Sequence, residues 1–244
     1  MSKKASLKER LAAKSKEIKD KSKGFQYLVI KEGTTRMRIL RAGEEEDWSV
    51  EATTFFLGMD IGLVISPHTF GGKCALMNAH NELASSKDEK ERALAKRLKP
   101  GRKFFMPAVR YNDLKGEEID MQTGPKLLML TPGVTEELIQ LYLDEDEAGD
   151  FTDPVNGYDL KFSRTGKGKM DTEYSVRACK PTKLKDRELA KKTFDPVAML
   201  KEITADYKTT KEKLDQFLNL PPEEDEVKST KKKSLKKKKR KSDV

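Results

Sequence analysis

From Tyr158 to Arg164 the chain alternates Leu160 and Phe162 against Lys161 and Ser163, the period of a strand with one face to a core and one to solvent. The run 164–169, RTGKGK, sets two glycines among cations, and glycine allows positive φ and close backbone approach, so a basic turn is expected there. On the return strand Tyr174, Val176 and Ala178 share one face, and Ser175, Arg177 and Cys179 the other. Lys161 and Arg177 are thus expected on one exposed face.

The same period appears near the start of the chain. Across Gly33 to Gly43, Arg36 and Arg38 alternate with Met37 and Ile39, which predicts a half-buried strand with arginines outward. The run Trp48 to Met59 is rich in β-branched and aromatic residues and reads as its partner strand, with Trp48 and Phe55 expected in the core and stacking platforms as the alternative. Arg102 to Asn112, RKFFMPAVRYN, resumes the pattern, with Phe105, Val109 and Tyr111 on one face and Phe104, Met106, Ala108 and Arg110 on the other. Pro107 cannot donate to a ladder, so an edge strand or a bulge is expected. Lys126 to Leu130 is a short apolar strand. Thr131 and Pro132 then open a helix reaching Leu143, with Glu136 and Glu137 near its start.

Between these strands, Ile65 to His80 breaks the rhythm with Pro67, Gly71 and Gly72, and it holds both histidines and one of the two cysteines. His68, Cys74 and His80 are the candidate metal ligands. Their spacing is wider than that of structural zinc sites and no fourth ligand is evident, so a plain loop is expected, with zinc as the alternative. Asn81 to Leu98 reads as one polar helix ended by Pro100 and Gly101. The segments Val197 to Tyr207 and Lys211 to Leu220 read as amphipathic helices.

Charge changes the picture at both ends. Lys228 onward holds ten Lys and Arg against one acid, and the first 23 residues hold nine cations against three acids, although the whole chain of 244 residues is only +9. Basic arms therefore flank a mildly acidic body, which points to a polyanionic partner engaged by the arms and by a local groove. Two cysteines are too few for a disulfide framework, and no apolar stretch approaches the roughly 18 residues of a membrane span. A protein without a membrane role is expected, cytoplasmic, or nuclear in a eukaryotic host. Neither a phosphate-loop motif nor a nucleophile with a nearby base is suggested, so no enzyme is expected.

Taken in order, these segments resemble the T-even-type phage single-stranded DNA-binding proteins, a helix-destabilising family. Lys3-Lys4-Ala5-Ser6 followed by LKERLAAKSKEI resembles its basic N-terminal arm, and TTRMRILRAG its first strand. The stretch from His68 through AKRLKPGRKFFMPAVRYND resembles its zinc-bearing insert and the strand that follows, and GDFTDPVNGYDLKFSRTG its late strand entry. The resemblance implies an OB-fold core, and an arm bearing Lys3, Lys4 and Ser6 that docks on a neighbouring protomer and makes binding cooperative. It departs at two places. The family's insert carries one His and three Cys as zinc ligands, and only His68 and Cys74 stand near matching positions here. The family's C-terminus is acidic and recruits replication proteins, whereas here Glu223 to Glu226 is followed by lysines.

The expected fold is mainly β with α: an OB-fold-like barrel over 24–181 with an insert at about 65–100, a basic arm over 1–23, a helical segment over 182–220 and an acidic-then-lysine tail over 221–244. The expected function is sequence-nonspecific coating of single-stranded DNA in replication, recombination and repair, in contact with itself and with replication or recombination proteins. Arg36, Arg38, Arg102, Lys103, Arg110, Lys161, Arg164, Lys167, Lys169 and Arg177 are expected to track phosphates, and Phe104, Tyr111 and Tyr174 to offer stacking surfaces, because bases stack on rings while cations meet the backbone. The rival expectation is an interaction protein whose lysine tail binds duplex DNA, RNA or other polyanions.

Overall fold

The computed structural model describes residues 27–43, 47–144, 149–166 and 171–219. The expectations for the 1–23 arm with Lys3, Lys4 and Ser6, for Lys167 and Lys169, and for the 221–244 tail lie outside these residues. The strands are β1 (Tyr27–Leu28), β2 (Gly33–Ile39), β3 (Val50–Phe56), β4 (Leu63–Ile65), β5 (Gly101–Arg110), β6 (Lys126–Leu130), β7 (Tyr158–Thr165) and β8 (Glu173–Pro181). The helices are α1 (Ala75–Ser85), α2 (Glu89–Arg97), α3 (Pro132–Leu143), α4 (Arg187–Ala190), α5 (Pro196–Ile203) and α6 (Tyr207–Asn219).

The strands form one mixed sheet in the order β1-β6-β5-β2-β7-β8, with β3 paired to β5 and β4 to β3. Among the described residues no pairing joins β8 back to β1, so the expected closed barrel is an open sheet. Two features leave it open. β1 is only two residues long, and β8 carries Glu173, Arg177, Lys180 and a terminal proline, residue types that blunt a sheet edge.

The chain divides into two compact units, one within Met1–Thr54 and Gly101–Thr204, the other within Phe55–Pro100 and Ala205–Val244. In the first, inward residues of four strands make the core: Met37 and Ile39 from β2, Met106 and Ala108 from β5, Leu128 and Leu130 from β6, Leu160 and Phe162 from β7. Helix α3 closes it with Val134 and Leu138, and Phe151 packs edge-on against Trp48, ring centroids 5.2 Å apart. A second cluster, Leu40, Val109, Leu184 and Leu189, covers another part of the sheet.

β5 is central rather than an edge, which corrects the inference from Pro107. One side of β5 pairs with β6, and the other pairs with β2 through residues 108–110 and with β3 through residues 101–105. Pro107 falls in the gap between β2 and β3. Its carbonyl accepts from Leu40 N–H at 2.8 Å, and its missing donor lies on that same side, where no ladder partner needs it.

In the second unit, Phe55, Leu57, Val64, Cys74, Leu76, Leu98 and Phe217 form one apolar cluster. The buried Thr210 hydroxyl on α6 accepts from Ala75 N–H at the start of α1, at 3.2 Å. The single polar helix expected over Asn81 to Leu98 is two helices. The first ends at Ser85 with Ser86 as its C-cap, and Asp88 caps the second, its carboxylate accepting from Lys90 N–H at 2.9 Å.

Candidate nucleic-acid interface

Strand register settles which side chains share a face. Thr34 stands opposite Ser163 and Arg36 opposite Lys161; Lys161 in turn stands opposite Arg177, and Ser163 opposite Ser175. Directly opposed residues project to the same side of a sheet. Thr34, Arg36, Lys161, Ser163, Ser175 and Arg177 therefore make one polar face across β2, β7 and β8, within which the Thr34 and Ser163 hydroxyls are 2.9 Å apart. Lys161 and Arg177 have no ion-pair partner among the described residues, so their charge is available to an outside anion. The sequence expectation for this pair is met in register.

The arginines of β2 are placed otherwise. Arg38 is 1% exposed, with Nη1 donating to Asp159 Oδ1 at 3.3 Å and to Thr182 O at 3.1 Å, and Nη2 to Asp153 O at 2.6 Å. Arg36 is half-buried. It donates through Nε and Nη2 to Asp159 Oδ2, at 2.9 and 2.5 Å, and through Nη1 to the carbonyls of Leu114 and Lys115. The expectation of two outward arginines fails for Arg38, because a buried guanidinium must be paired and Asp159 supplies the charge from β7. These bonds hold the loop after β5 onto β2 and tie β2 to β7.

Tyr111 belongs to the same network and is not a surface stacking platform. It is 5% exposed, its hydroxyl donates to Asp159 Oδ1 at 3.0 Å, and the Arg36 guanidinium lies 5.4 Å from its ring centroid. Burial first, and then the neighbouring Asp159 charge, push its phenol well above the usual tyrosine range.

The other cations and rings divide between paired and available. Arg102 is exposed and binds Glu51 in bidentate fashion, both bonds 2.7 Å, and Arg110 donates to Asp120 at 2.6 Å. Phe104 packs on the core cluster. Lys103 is half-buried, its ammonium pushed below the usual lysine range by desolvation, and with Tyr174 it lines a cavity of about 70 Å³. Arg164 stands opposite Tyr174 on the face of the hairpin opposite Lys161, and its buried Nε has no hydrogen-bond partner among the described residues. The hairpin is thus two-faced: Lys161 with Arg177 on one side, Arg164 with Tyr174 on the other.

The proposed metal ligands do not fit a zinc site. His68 is exposed on a short turn, Cys74 is buried in the apolar cluster at the N-cap of α1, and His80 lies against Ala95 O, its Nδ1 3.0 Å away. Among the described residues no group of three or more His, Cys, Asp or Glu is placed to hold a metal ion. Sequence reading missed the carboxylates that hold these cations: Asp159, which binds Arg36 and Arg38 on the polar face, and Asp120 and Glu51, which bind Arg110 and Arg102. One signal was present, because Asp159 alternates with Leu160 and so falls on the side of Lys161.

Residues 31–218 match the family model described as gp32 DNA binding protein like. No curated protein matches the chain as a relative.

Proposed function

The chain belongs to the gp32 DNA-binding-protein-like family, and on that premise we propose that it is a sequence-nonspecific single-stranded DNA-binding protein, not an enzyme, which coats DNA during replication, recombination and repair. The observation that carries this reading is the unpaired Lys161 and Arg177 standing directly opposite each other on an exposed, hydroxyl-lined face. Two adjacent cations suit successive phosphates, and Ser163, Ser175 and Thr34 add donors that read no sequence. Arg36 backs this face with a guanidinium already oriented by Asp159. On the other side of the hairpin, Tyr174 beside Arg164 offers a ring and a cation to a base, an arrangement worth about 1–3 kcal/mol per stacked base.

Lys167 and Lys169, which fall between β7 and β8 in the sequence, are proposed to extend the phosphate track. Lys3, Lys4 and Ser6 in the N-terminal arm are proposed to contact a neighbouring copy and make coating cooperative. Replication or recombination proteins are proposed partners, and the host cytoplasm is the proposed location. Among the described residues no helix is long and apolar enough to cross a membrane.

The lysine run of the tail supports a second reading, in which the tail alone binds polyanions. Titration of fluorescent oligo-dT and a matched duplex, with the full chain and with a version ending at Glu226, separates the two. The coat reading expects the shortened chain to keep its preference for single strands. Loss of binding on truncation, or equal competition by duplex, would overturn it.

A further inference from the structure

A basic recess lies wholly within the second unit. Helices α1 and α2 pack side by side, and the cleft of about 270 Å³ between them is lined by His80 and Ala84 from α1, Arg92, Ala95 and Lys96 from α2, and Lys99 and Pro100 just beyond. Helical spacing explains the set. His80 and Ala84 are four apart, as are Arg92 and Lys96, so each helix turns one face to the cleft. The floor is alanine and proline; every ionisable group in the lining is a cation or an imidazole. Glu89 and Glu91 belong to α2 but do not line it.

Two of these groups are held in place. Arg92 Nη1 donates to the carbonyls of Ser86 and Lys87, at 2.9 and 2.7 Å, which leaves the remainder of its guanidinium fork for another acceptor. His80 Nδ1 lies 3.0 Å from Ala95 O; a carbonyl only accepts, so Nδ1 carries the proton and Nε2 is the ring's remaining hydrogen-bonding atom. Lys96 and Lys99 have no ion-pair partner among the described residues. The cleft between α3 and β8 makes the contrast: it is larger, but Glu137 and Asp144 line it, and it would repel an anion.

We propose that the α1–α2 cleft is a nucleotide-phosphate site, in which Arg92, Lys96 and Lys99 take the phosphate and the Ala84, Ala95 and Pro100 floor receives the flat side of the attached nucleoside. Its volume, just under the roughly 300 Å³ of the smallest usual ligand pockets, suits one nucleotide. The phosphate comes either from a free nucleotide or from a unit of a single strand.

The chain has only two histidines, so proton NMR of the imidazole C–H signals in the full chain reads the site directly, with a His80→Gln variant giving the assignment. Thymidine monophosphate and a short oligo-dT are the two probes. The His80 signals are expected to move saturably, those of His68 to stay, and the Lys96→Ala/Lys99→Ala variant to bind about tenfold or more weakly, from the loss of charge-assisted bonds. The Lys96→Arg/Lys99→Arg variant is expected to restore the response. A response to both probes supports a site for any nucleotide phosphate, and a response to oligo-dT alone supports one that reads the phosphodiester of a strand. If His80 moves with neither probe, or moves equally in the double alanine variant, the proposal is wrong. The hairpin reading is tested separately, because Lys161→Ala/Arg177→Ala is expected to weaken oligo-dT binding while leaving the monophosphate response of His80 intact.

Discussion

Arg38 and Asp159 are ion-paired inside the sheet, 3.3 Å apart at side-chain exposures of 1% and 3%. Because Arg36 and Tyr111 also converge on this carboxylate, its removal would strand two guanidinium groups and a phenol. Breaking a buried pair by removing one partner costs about 3–5 kcal/mol. Asp159→Ala is therefore expected to lose that much in denaturant unfolding, and Asp159→Asn, which keeps an acceptor, distinctly less. Equal stability of wild type and Asp159→Ala would show that the network is not structural.

Gly116 makes a second claim on Arg36. Its φ is +75°, and a Cβ there would come within 2.3 Å of Arg36 Cζ, so both conformation and space demand glycine. Gly116→Ala is expected to cost more than the roughly 1–2 kcal/mol of left-handed backbone strain. In an Arg36→Ala background the cost should fall to that strain alone, and a double-mutant cycle measures the difference. Strict additivity would mean that the loop does not rest on Arg36.

Acid should loosen the first unit through two carboxylates. Asp120 is held below the usual carboxylate range by its bond from Arg110, and Asp153 by the N–H groups of Asn156 and Val155. A folded-state pKa below the unfolded value, about 3.9 for Asp, gives stability that is present above that value and is lost as pH falls through the folded pKa. Melting temperature should therefore drop below about pH 4. The drop should be shallower in Asp120→Asn/Asp153→Asn. An unchanged slope in that variant would assign acid sensitivity to other groups.

The second unit is expected to owe its stability to α6 rather than to zinc. Phe217 is 3% exposed in its apolar cluster, and Arg97 lies 4.9 Å from its ring centroid. Phe217→Ala should cost about 3–5 kcal/mol, seen as early hydrogen exchange across 55–100. Dialysis against a chelator should leave the melting temperature unchanged. A chelator-induced drop would show a metal that His68, Cys74 and His80 do not account for.

The β7–β8 hairpin was legible because period 2 assigns faces without knowledge of the partner. That is why Lys161 and Arg177 were paired correctly from sequence. The same rule put Arg36 and Arg38 outward and was half right: they do share the polar face, but their burial depends on Asp159, more than 120 residues away. Pro107 misled for a similar reason, since a gap between β2 and β3 exists only once three strands are assembled. The break at Asp88 carries a local capping signal that the run of helix formers around it obscured. Barrel closure depends on whether β1 and β8 meet, which no local pattern encodes.

The central claim is that the Lys161–Arg177 pair meets phosphates, and oligo-dT titration over a range of salt concentrations tests it most directly. On single strands each phosphate contact contributes about 0.7 to the slope of log affinity against log salt. Lys161→Ala/Arg177→Ala is expected to fold normally, bind at least about tenfold more weakly, and lose about 1.4 from that slope, one contact per cation. A variant with unchanged affinity and slope would place the DNA elsewhere on the protein.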